Sequence, residues 1–455
     1  MIGSVSLIFL YFGEREMFTN AQLKKLIFPL VMEQLLAITV GMADTMMVSQ
    51  VGDAAVSGVS LVDMINVLLI NIFAALATGG AVVTSQFIGK QRKDLACQSV
   101  NQLYIVSGTA SLLIMALTLL FRSSILHILF GSIEPDVMEN ALIYLVLSAL
   151  SYPFLAIYNS GAAIFRSMGN SKITMLISML MNAVNIVGNA ILIFGCGMGA
   201  AGAAIASLIS RMLACVIITA LLLNQKKELH LLPHGWKPQG NLIKKILYIG
   251  IPSSLENSLF QLGRVLVVSI ITYFGTVQIT ANAIANNLDA MGILPGQAVS
   301  LAMITVVGQC VGAGDFEQAK KYTVKLLKIT YAIMAVLIIC LLILQPWILS
   351  IYRVTDEARA LAKTLIYIHN LCALVLWPLS FVLPNALRAA NDVKYTMVVS
   401  IFSMCAFRIL FSYILGYQMG MGAIGVWIAM VLDWVFRVIM FVTRFLGNKW
   451  QTHKI

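Results

Sequence analysis

The chain contains one ten-residue stretch in two versions, GMGAAGAAIA at residues 197–206 and GMGAIGVWIA at residues 420–429. The two versions are 223 residues apart, and the same shift aligns other landmarks along the chain. The aligned pairs are Pro29 with Pro252, Glu33 with Glu256, Gly52 with Gly275, Gln86 with Gln309, and Gly89 with Gly312. So many coincidences at one shift indicate that the chain consists of two copies of one unit.

The composition around these landmarks is typical of a membrane protein. Of the 455 residues, 60% are apolar and only 11% are charged, and the mean hydropathy is +0.91. Soluble domains carry about a quarter charged residues. The apolar stretches are long enough to cross a hydrocarbon core about 30 Å thick. Because backbone groups in lipid must bond within their own segment, these stretches are predicted to be helices.

Polar breaks divide the chain into twelve predicted membrane helices, six in each copy. Their approximate spans are residues 25–50, 54–87, 97–121, 137–160, 172–195, 199–223, 243–274, 281–309, 322–345, 359–384, 394–416 and 422–446. With the N-terminus inside, 21 lysines and arginines fall on the inner side and four on the outer side. This asymmetry predicts a multi-pass protein of the plasma membrane with both termini in the cytoplasm. The net charge of +11 follows from this topology, so it does not require a nucleic-acid partner.

The predicted domains follow from the repeat and from one long hydrophilic segment between the sixth and seventh helices. We expect an N-terminal extension at 1–23, an N-lobe at 24–223, a cytoplasmic linker at 224–242, a C-lobe at 243–446 and a cytoplasmic tail at 447–455. Six is an even number, so both lobes have the same orientation in the membrane. A binding cleft is then expected between them, near the middle of the bilayer.

Motifs of enzymes and of ATP-driven pumps are missing from the sequence. The seven cysteines are scattered singly, and no phosphate-binding loop, nucleophile elbow or metal-ligand cluster occurs. We therefore expect a protein that is not an enzyme and that has no cofactor apart from a coupling ion. Any pumping would depend on an ion gradient.

Several motifs in both halves resemble the MATE family of multidrug and toxic compound extrusion transporters. In the first helix and the turn after it these are FPL at 28–30, MADT at 42–45 and VGDAAVSG at 51–58. The segments TSQFIGK at 84–90 and VGQCVGA at 307–313 resemble the family's glutamine–glycine signature, and FRSMG at 165–169 and LRAAN at 387–391 resemble its arginine turns. The resemblance covers residues 24–446 in order. It implies an all-α, V-shaped membrane fold with twelve transmembrane helices in two pseudo-symmetric six-helix bundles.

A carboxylate inside the first helix is the main candidate for ion coupling. Asp44 lies about twenty residues into that helix, where an ionised group is costly. Asn185 and Asn189 are four residues apart, so they share one face of the fifth helix and can present two oxygens to Na⁺. The resemblance places Asp44, Asn185, Asn189, Ser207 and Tyr144 at the family's N-lobe cation site. The alternative for the amides and hydroxyls is hydrogen bonding between helices.

Other polar residues within the predicted helices are candidates for the substrate cleft. They are Glu33, Glu256, Asp289, Asp63, Asn66 and Asn286. For Glu33 and Glu256, the alternative is a gate pair or the satisfaction of backbone groups freed by the nearby prolines. For Asp289, the alternative is an ion pair with Arg264. Because acids outnumber bases among these candidates, a cationic cargo is expected and a phosphate cargo is disfavoured.

Three further arginines, Arg211, Arg408 and Arg437, are predicted to have structural or helix-end roles. Arg211 is expected to be a structural or helix-end charge. Asp433 and Arg437 are four residues apart on the last helix and are expected to pair.

Together these features predict an antiporter coupled to Na⁺ or H⁺ that exports organic, cationic drugs or toxic compounds by alternating access. Its partners would be a small organic substrate and the lipid bilayer, and the chain is expected to be monomeric. The alternative function is a flippase for a lipid-linked sugar from the same superfamily.

Overall fold

The computed structural model describes residues 16–131, 134–352 and 354–453, and within these ranges it contains helices and turns but no strands. Twelve helices are long and apolar enough to cross a membrane, which confirms the predicted number for the described residues. They are α1 (Asn20–Val48), α2 (Asp53–Gly89), α3 (Lys93–Leu120), α4 (Pro135–Ser167), α5 (Ser171–Gly195), α6 (Gly199–Leu222), α7 (Gly240–Thr272), α8 (Thr276–Gly312), α9 (Phe316–Ile351), α10 (Asp356–Ala389), α11 (Val393–Gln418) and α12 (Gly422–Leu446). Most of the predicted N-terminal extension, residues 1–15, lies outside the described residues.

Several helices begin earlier than predicted, because the polar residues used as breaks form their first turn. Asp53 opens α2, and Asp356 and Glu357 open α10. Carboxylates are favourable there, since the free N–H groups and the helix dipole make this end positive. A polar break in this sequence can therefore mark the start of a helix as well as a loop.

The repeated ten-residue stretch encodes the same sharp turn in both copies. Between α5 and α6, Gly197 and Gly199 have φ angles of +65° and +56°, and between α11 and α12 Gly420 and Gly422 have φ angles of +70° and +58°. These left-handed conformations cost residues with a Cβ roughly 1–2 kcal/mol. The glycines are therefore required by the turn, and the turn is what the repeat preserves.

The first helix of each copy is shared between the two lobes. The first part of α1 contributes Leu23, Leu26 and Leu30 to the apolar core of the C-lobe. The first part of α7 contributes Ile246 and Ile249 to the core of the N-lobe. α1 also packs along α5 of its own lobe. The predicted lobe boundaries remain a prediction, because α1 and α7 each belong to both cores.

The lobes approach each other closely along a seam between α2 and α8, which we define by Gln86, Gly89, Gln309 and Gly312. A Cβ on Gly89 would lie 2.0 Å from the backbone oxygen of Gln309, and a Cβ on Gly312 would lie 2.1 Å from that of Gln86. Such distances are far below van der Waals contact, so only glycine allows this approach.

Two glutamine side chains, one from each lobe, form equivalent hydrogen bonds across the seam. The Gln86 side chain donates from Nε2 to the backbone oxygen of Ala389, and Gln309 donates from Nε2 to that of Ser167, both at 2.8 Å. Ala389 and Ser167 are the last residues of α10 and α4, where backbone oxygens lack partners within the helix. Each glutamine thus caps a helix of the opposite lobe, which explains why the glutamine–glycine pattern occurs in both copies.

In the part of the chain that the structure describes, three helices contain π-helical turns, which widen the helix locally. In α5 the π turn covers Ala190–Gly195 and follows Asn189 directly. In α10 it covers Pro378–Val382, and α11 contains Met404–Leu410 and Ser412–Gln418. Such turns are frequent at functional sites. The π turn in α5 lies next to a candidate cation ligand.

Candidate functional site

The N-lobe encloses a cavity of about 150 Å³ beside α1, which we call the N-lobe cavity. Its polar lining includes Asp44, Asp63, Tyr144, Asn189, Ser207 and Arg211. These side chains come from α1, α2, α4, α5 and α6. Four of the five residues predicted for the cation site therefore line one cavity, and the fifth, Asn185, contacts Asp44.

The two asparagines of α5 are directed at the Asp44 carboxylate. Asn189 donates from Nδ2 to Asp44 Oδ1 at 2.6 Å. Asn185 satisfies both its neighbours when its amide nitrogen faces Asp44, at 2.7 Å from Oδ1, and its oxygen accepts from Ser207 Oγ at 3.0 Å. The two amides therefore occupy the positions around Asp44 that a cation or a proton would compete for.

Asp63 supplies a second carboxylate to this cavity, which corrects its predicted place in the substrate cleft. Its Oδ1 accepts from the hydroxyl of Tyr144 and from Nδ2 of Asn66, each at 3.2 Å. Asn66 is buried inside the N-lobe and accepts from Tyr152 Oη at 2.9 Å. Asn66 does not line the cavity between the lobes, so its predicted place in the cleft is also wrong.

Arg211 was expected to have a structural role, yet it borders the N-lobe cavity. Its Nη1 donates to Ser151 Oγ at 2.6 Å. The cavity thus contains two carboxylates and one guanidinium, which leaves one formal negative charge. Within the described part of the chain, Oδ1 of Asn189 is buried without a hydrogen-bond partner. A monovalent cation or a proton would neutralise the surplus charge and supply the missing partner.

A larger cavity of about 410 Å³ lies between the lobes, and we call it the interlobe cavity. Its charged lining consists of Arg166 from α4, Glu256 from α7, Arg388 from α10 and Arg437 from α12. The expectation that acids outnumber bases in the cleft is therefore wrong. The sequence argument failed because it assigned the arginines to helix-end turns and structural pairs.

Three of the four charged side chains, Glu256, Arg388 and Arg437, form a connected group on the C-lobe wall. The fourth, Arg166, lies on the N-lobe wall. Arg388 Nη2 lies 2.6 Å from Glu256 Oε1, and Arg437 Nη2 lies 3.8 Å from the same oxygen. The guanidinium of Arg437 also lies over the ring of Phe381, 4.4 Å from its centroid. Arg166 faces them from the N-lobe. Glu256 thus lies in the cleft as predicted, but as the counter-ion of arginines.

The pairing predicted for Asp433 with Arg437 is replaced by other contacts. Asp433 accepts from the hydroxyl of Ser403, and its Oδ2 lies 3.7 Å from Arg408 Nη1. Arg437 Nη2 donates instead to Ser400 Oγ at 3.0 Å. Arg437 therefore remains oriented towards the interlobe cavity.

The structure places the other candidates away from the interlobe cavity, which corrects their predicted role in the cleft. Glu33 lies between α1 and α5 and accepts from Thr174 Oγ1 at 2.9 Å. Asn286 donates to a backbone oxygen of its own helix and borders a cavity of about 50 Å³ inside the C-lobe.

Asp289 is buried in the C-lobe core instead of standing in the cleft. It accepts from Asn370 Nδ2 at 2.6 Å and lies 3.5 Å from His369 Nδ1. These contacts replace the predicted pairing with Arg264, which borders the small C-lobe cavity. The intramembrane position of these acids was visible in the sequence, but the face of the helix on which they lie was not.

Comparison with known proteins gives a consistent family assignment. A family model described as MatE matches the chain twice, over residues 29–191 and 252–414. The two matches are offset by 223 residues, the shift of the internal repeat.

Two curated relatives match nearly the whole chain. The uncharacterized transporter YisQ of Bacillus subtilis is 29% identical over 439 residues, which cover 93% of this chain and 94% of YisQ. The probable multidrug resistance protein NorM of Thermotoga maritima is 26% identical over 447 residues, which cover 95% of this chain and 94% of NorM.

Two solved structures share the fold. A multidrug resistance MATE family transporter of the MOP superfamily, in an outward-facing conformation, superposes with a TM-score of 0.86 at 22% identity, covering 94% of this chain and 96% of that one. A MOP superfamily transporter from Pyrococcus furiosus, whose reverse binding-pocket polarity is described as suggesting a different function, has a TM-score of 0.85 at 22% identity, covering 93% and 94%.

Proposed function

The chain belongs to the MatE family of membrane transporters, and we propose from this premise that it exports small organic compounds in exchange for Na⁺ or H⁺ bound in the N-lobe cavity. It is a transporter and not an enzyme. The observation that carries the proposal is the contact of two asparagines with one intramembrane carboxylate, Asp44, in a cavity separate from the interlobe cavity.

Ion binding at Asp44 would change the contact between α1 and α5. In the structure, the amide N–H groups of Asn185 and Asn189 face the carboxylate. A Na⁺ ion there needs oxygen ligands, so both amides would have to turn their oxygens inwards. A proton on Asp44 would remove an acceptor and add a donor. Either ion therefore favours a different arrangement of the two helices, and the π turn after Asn189 gives α5 room to adopt it.

The shared first helix gives this local change a route to the other lobe. The part of α1 that contains Asp44 packs with the N-lobe, while Leu23, Leu26 and Leu30 pack in the C-lobe core. A displacement of α1 against α5 is therefore transmitted to the C-lobe through direct packing. Coupling then requires that the ion and the cargo stabilise opposite conformations.

We propose that the structure represents the state open to the outside. Its seam lies at the end of α2 and α8 that joins the loops rich in lysine and arginine, which the charge asymmetry assigns to the cytoplasm. The seam thus closes the cytoplasmic side. The multidrug resistance named for NorM and for the solved MATE transporter supports a drug-like cargo.

Ion binding to the purified protein tests the assignment of Asp44. We expect saturable binding of radiolabelled Na⁺ or, if the ion is H⁺, proton uptake when the pH of an unbuffered sample is lowered. Asp44→Asn should abolish the signal. The matched control Asp53→Asn changes an exposed aspartate at the start of α2 and should retain it. A signal that persists unchanged in Asp44→Asn contradicts the proposal.

A flippase for a lipid-linked sugar remains the second candidate, because the three arginines of the interlobe cavity suit a phosphate. Translocation of a fluorescent prenyl-phosphate sugar between the leaflets of a proteoliposome tests it. Translocation without an ion gradient would favour the flippase over the exchanger.

A further inference from the structure

The charge of the interlobe cavity points to a particular class of cargo. Its lining has three arginines and one glutamate, a formal surplus of two positive charges. A cation would have to enter against this surplus in a membrane interior that screens charge weakly. We propose that the cavity binds organic anions, namely compounds with an aromatic body and a carboxylate. This inference rests on the proposed function, in which the interlobe cavity is the cargo site.

Unused hydrogen-bond donors on the arginines support an anionic ligand. In the described part of the protein, Nε and Nη1 of Arg437 and Nε of Arg388 have no hydrogen-bond partner. The Arg437 side chain is only 3% exposed, so water does not readily replace that partner. A guanidinium binds a carboxylate through two parallel N–H groups. The free Nε and Nη1 of Arg437 lie on different edges of the guanidinium, so each can donate one hydrogen bond to an anion, and a two-bond contact would also use Nη2, which now donates to Ser400.

The apolar walls define the rest of the ligand. Phe260, Trp377 and Phe381 border the cavity, and the rings of Trp377 and Phe381 stack with centroids 5.1 Å apart. A volume of about 410 Å³ lies in the range of cavities that bind drug-sized molecules. An aromatic ring in the ligand can pack on these side chains while its carboxylate faces Arg437.

Glu256 would compete with an anionic ligand for the arginines of the cavity. Its Oε1 lies 2.6 Å from Arg388 Nη2, and its Oε2 is buried without a hydrogen-bond partner. An incoming carboxylate must share the arginines with this glutamate. Removing the glutamate charge should therefore favour an anion, and it should disfavour a cation. Glu256→Gln should therefore tighten the binding of an anionic cargo and weaken the binding of a cationic one.

Two dyes with the same aromatic body and opposite charge test the proposal directly. The anion 5-carboxyfluorescein and the cation rhodamine 123 both contain a xanthene ring, and fluorescence anisotropy with the purified protein in detergent gives their dissociation constants. We expect the anion to bind about tenfold or more tightly than the cation, the ratio that about 1.4 kcal/mol gives. Equal or tighter binding of rhodamine 123 would overturn the proposal.

Substitutions of cavity residues then test whether the anionic dye binds in the interlobe cavity. Arg437→Gln should weaken 5-carboxyfluorescein binding about tenfold or more, because it removes the donor to a buried carboxylate. Arg437→Lys keeps the charge but loses the planar guanidinium, so its affinity should lie between those of the wild type and Arg437→Gln. Arg359→Gln, which changes an arginine at the start of α10 outside the cavity, should leave the affinity unchanged. Glu256→Gln should tighten binding, a gain that unfolding cannot produce. Weaker anion binding in Glu256→Gln, or no change in Arg437→Gln, would refute the proposal.

Competition distinguishes a soluble anion from a lipid phosphate. We expect 2-naphthoate to displace the dye, since it combines a carboxylate with an aromatic body. Displacement by farnesyl phosphate alone would contradict our choice of a soluble carboxylate. None of these binding measurements uses an ion gradient, so a negative result would count against the anionic cargo and not against ion coupling. A failure of ion coupling would appear instead as a loss of ion binding or of gradient-dependent transport.

Discussion

Asp44 and Asp63 lie on different helices and border the same cavity, so the proposed ion site contains two carboxylates. The sequence identified Asp44 because an acid in the middle of an apolar helix is costly. It could not assign Asp63 to the same site, because that assignment depends on how α2 is rotated against α1. Asn189 is a neutral neighbour of Asp44, so Asp63 is the second carboxylate of the cavity.

Loss of the Asp63 charge should weaken ion binding without abolishing it. In Asp63→Asn, Asp44 and both asparagines remain, so the affinity for the coupling ion should fall about tenfold, as expected for one charge acting through a partly screened medium. Titration of the purified variant with Na⁺ or H⁺ measures this. An affinity equal to that of the exposed-site control Asp53→Asn would show that Asp63 takes no part.

Addition of a charge at Asn189 should have the opposite effect. Asn189 Nδ2 lies 2.6 Å from Asp44 Oδ1, so the substitution Asn189→Asp places two carboxylates in contact. Their repulsion is relieved when a cation binds between them, and we expect about tenfold tighter binding. The same titration measures the change. Ion dependence identical to the wild type would remove Asn189 from the site.

At the scale of the helices, the seam between α2 and α8 is where the two lobes meet through close backbone contacts. The sequence showed the two glutamine–glycine segments and their repeat, but it gave no reason for them. The structure supplies the reason, because each glycine lies against the backbone of the other segment and each glutamine caps a helix of the other lobe. The two glutamine contacts join residues that are 303 and 142 positions apart, so no local pattern reveals them.

A larger side chain at a seam glycine should open the cytoplasmic side of the cavity between the lobes. In Gly312→Ala the new Cβ would lie 2.1 Å from the backbone oxygen of Gln86, so the closed seam must separate. Labelling of a Ser300→Cys reporter in the interlobe cavity, in a background without native cysteines, should become faster from the cytoplasmic side. Gly240→Ala is the control, since nothing lies within 4 Å of its Cβ position. Equal labelling in both variants would contradict this role of the seam.

Removal of the Gln86 side chain should also open the cytoplasmic side, but to a smaller extent than Gly312→Ala. Gln86→Ala leaves the backbone oxygen of Ala389 and the side-chain oxygen of Asn391 without their donor. An unsatisfied buried acceptor costs about 1–3 kcal/mol. The closed state should therefore be less populated, and the cytoplasmic labelling rate of the same reporter should rise. A slower rate would show that the glutamine does not stabilise closure.

At the scale of the whole molecule, the two copies share a scaffold and differ in chemistry. The sequence predicted the twelve helices, the duplication and the family, because hydropathy and repeated motifs are encoded locally. It did not predict the charge of the interlobe cavity, because Arg388 and Arg437 come from different helices and meet Glu256 from a third. The N-lobe contains the acidic cavity that is proposed to bind the ion, and the C-lobe contributes most of the basic wall of the interlobe cavity. α1 connects the two, since it contributes Asp44 to one lobe and apolar side chains to the core of the other.

The central claim is that an ion at Asp44 drives export, and gradient-driven transport in proteoliposomes tests it most directly. Vesicles with the wild-type protein and 5-carboxyfluorescein should show transport that depends on an imposed Na⁺ or H⁺ gradient and reverses when the gradient is reversed. Asp44→Asn should lose this dependence, whereas Asp53→Asn should keep it. Gradient-dependent transport by Asp44→Asn at the wild-type rate would contradict the account.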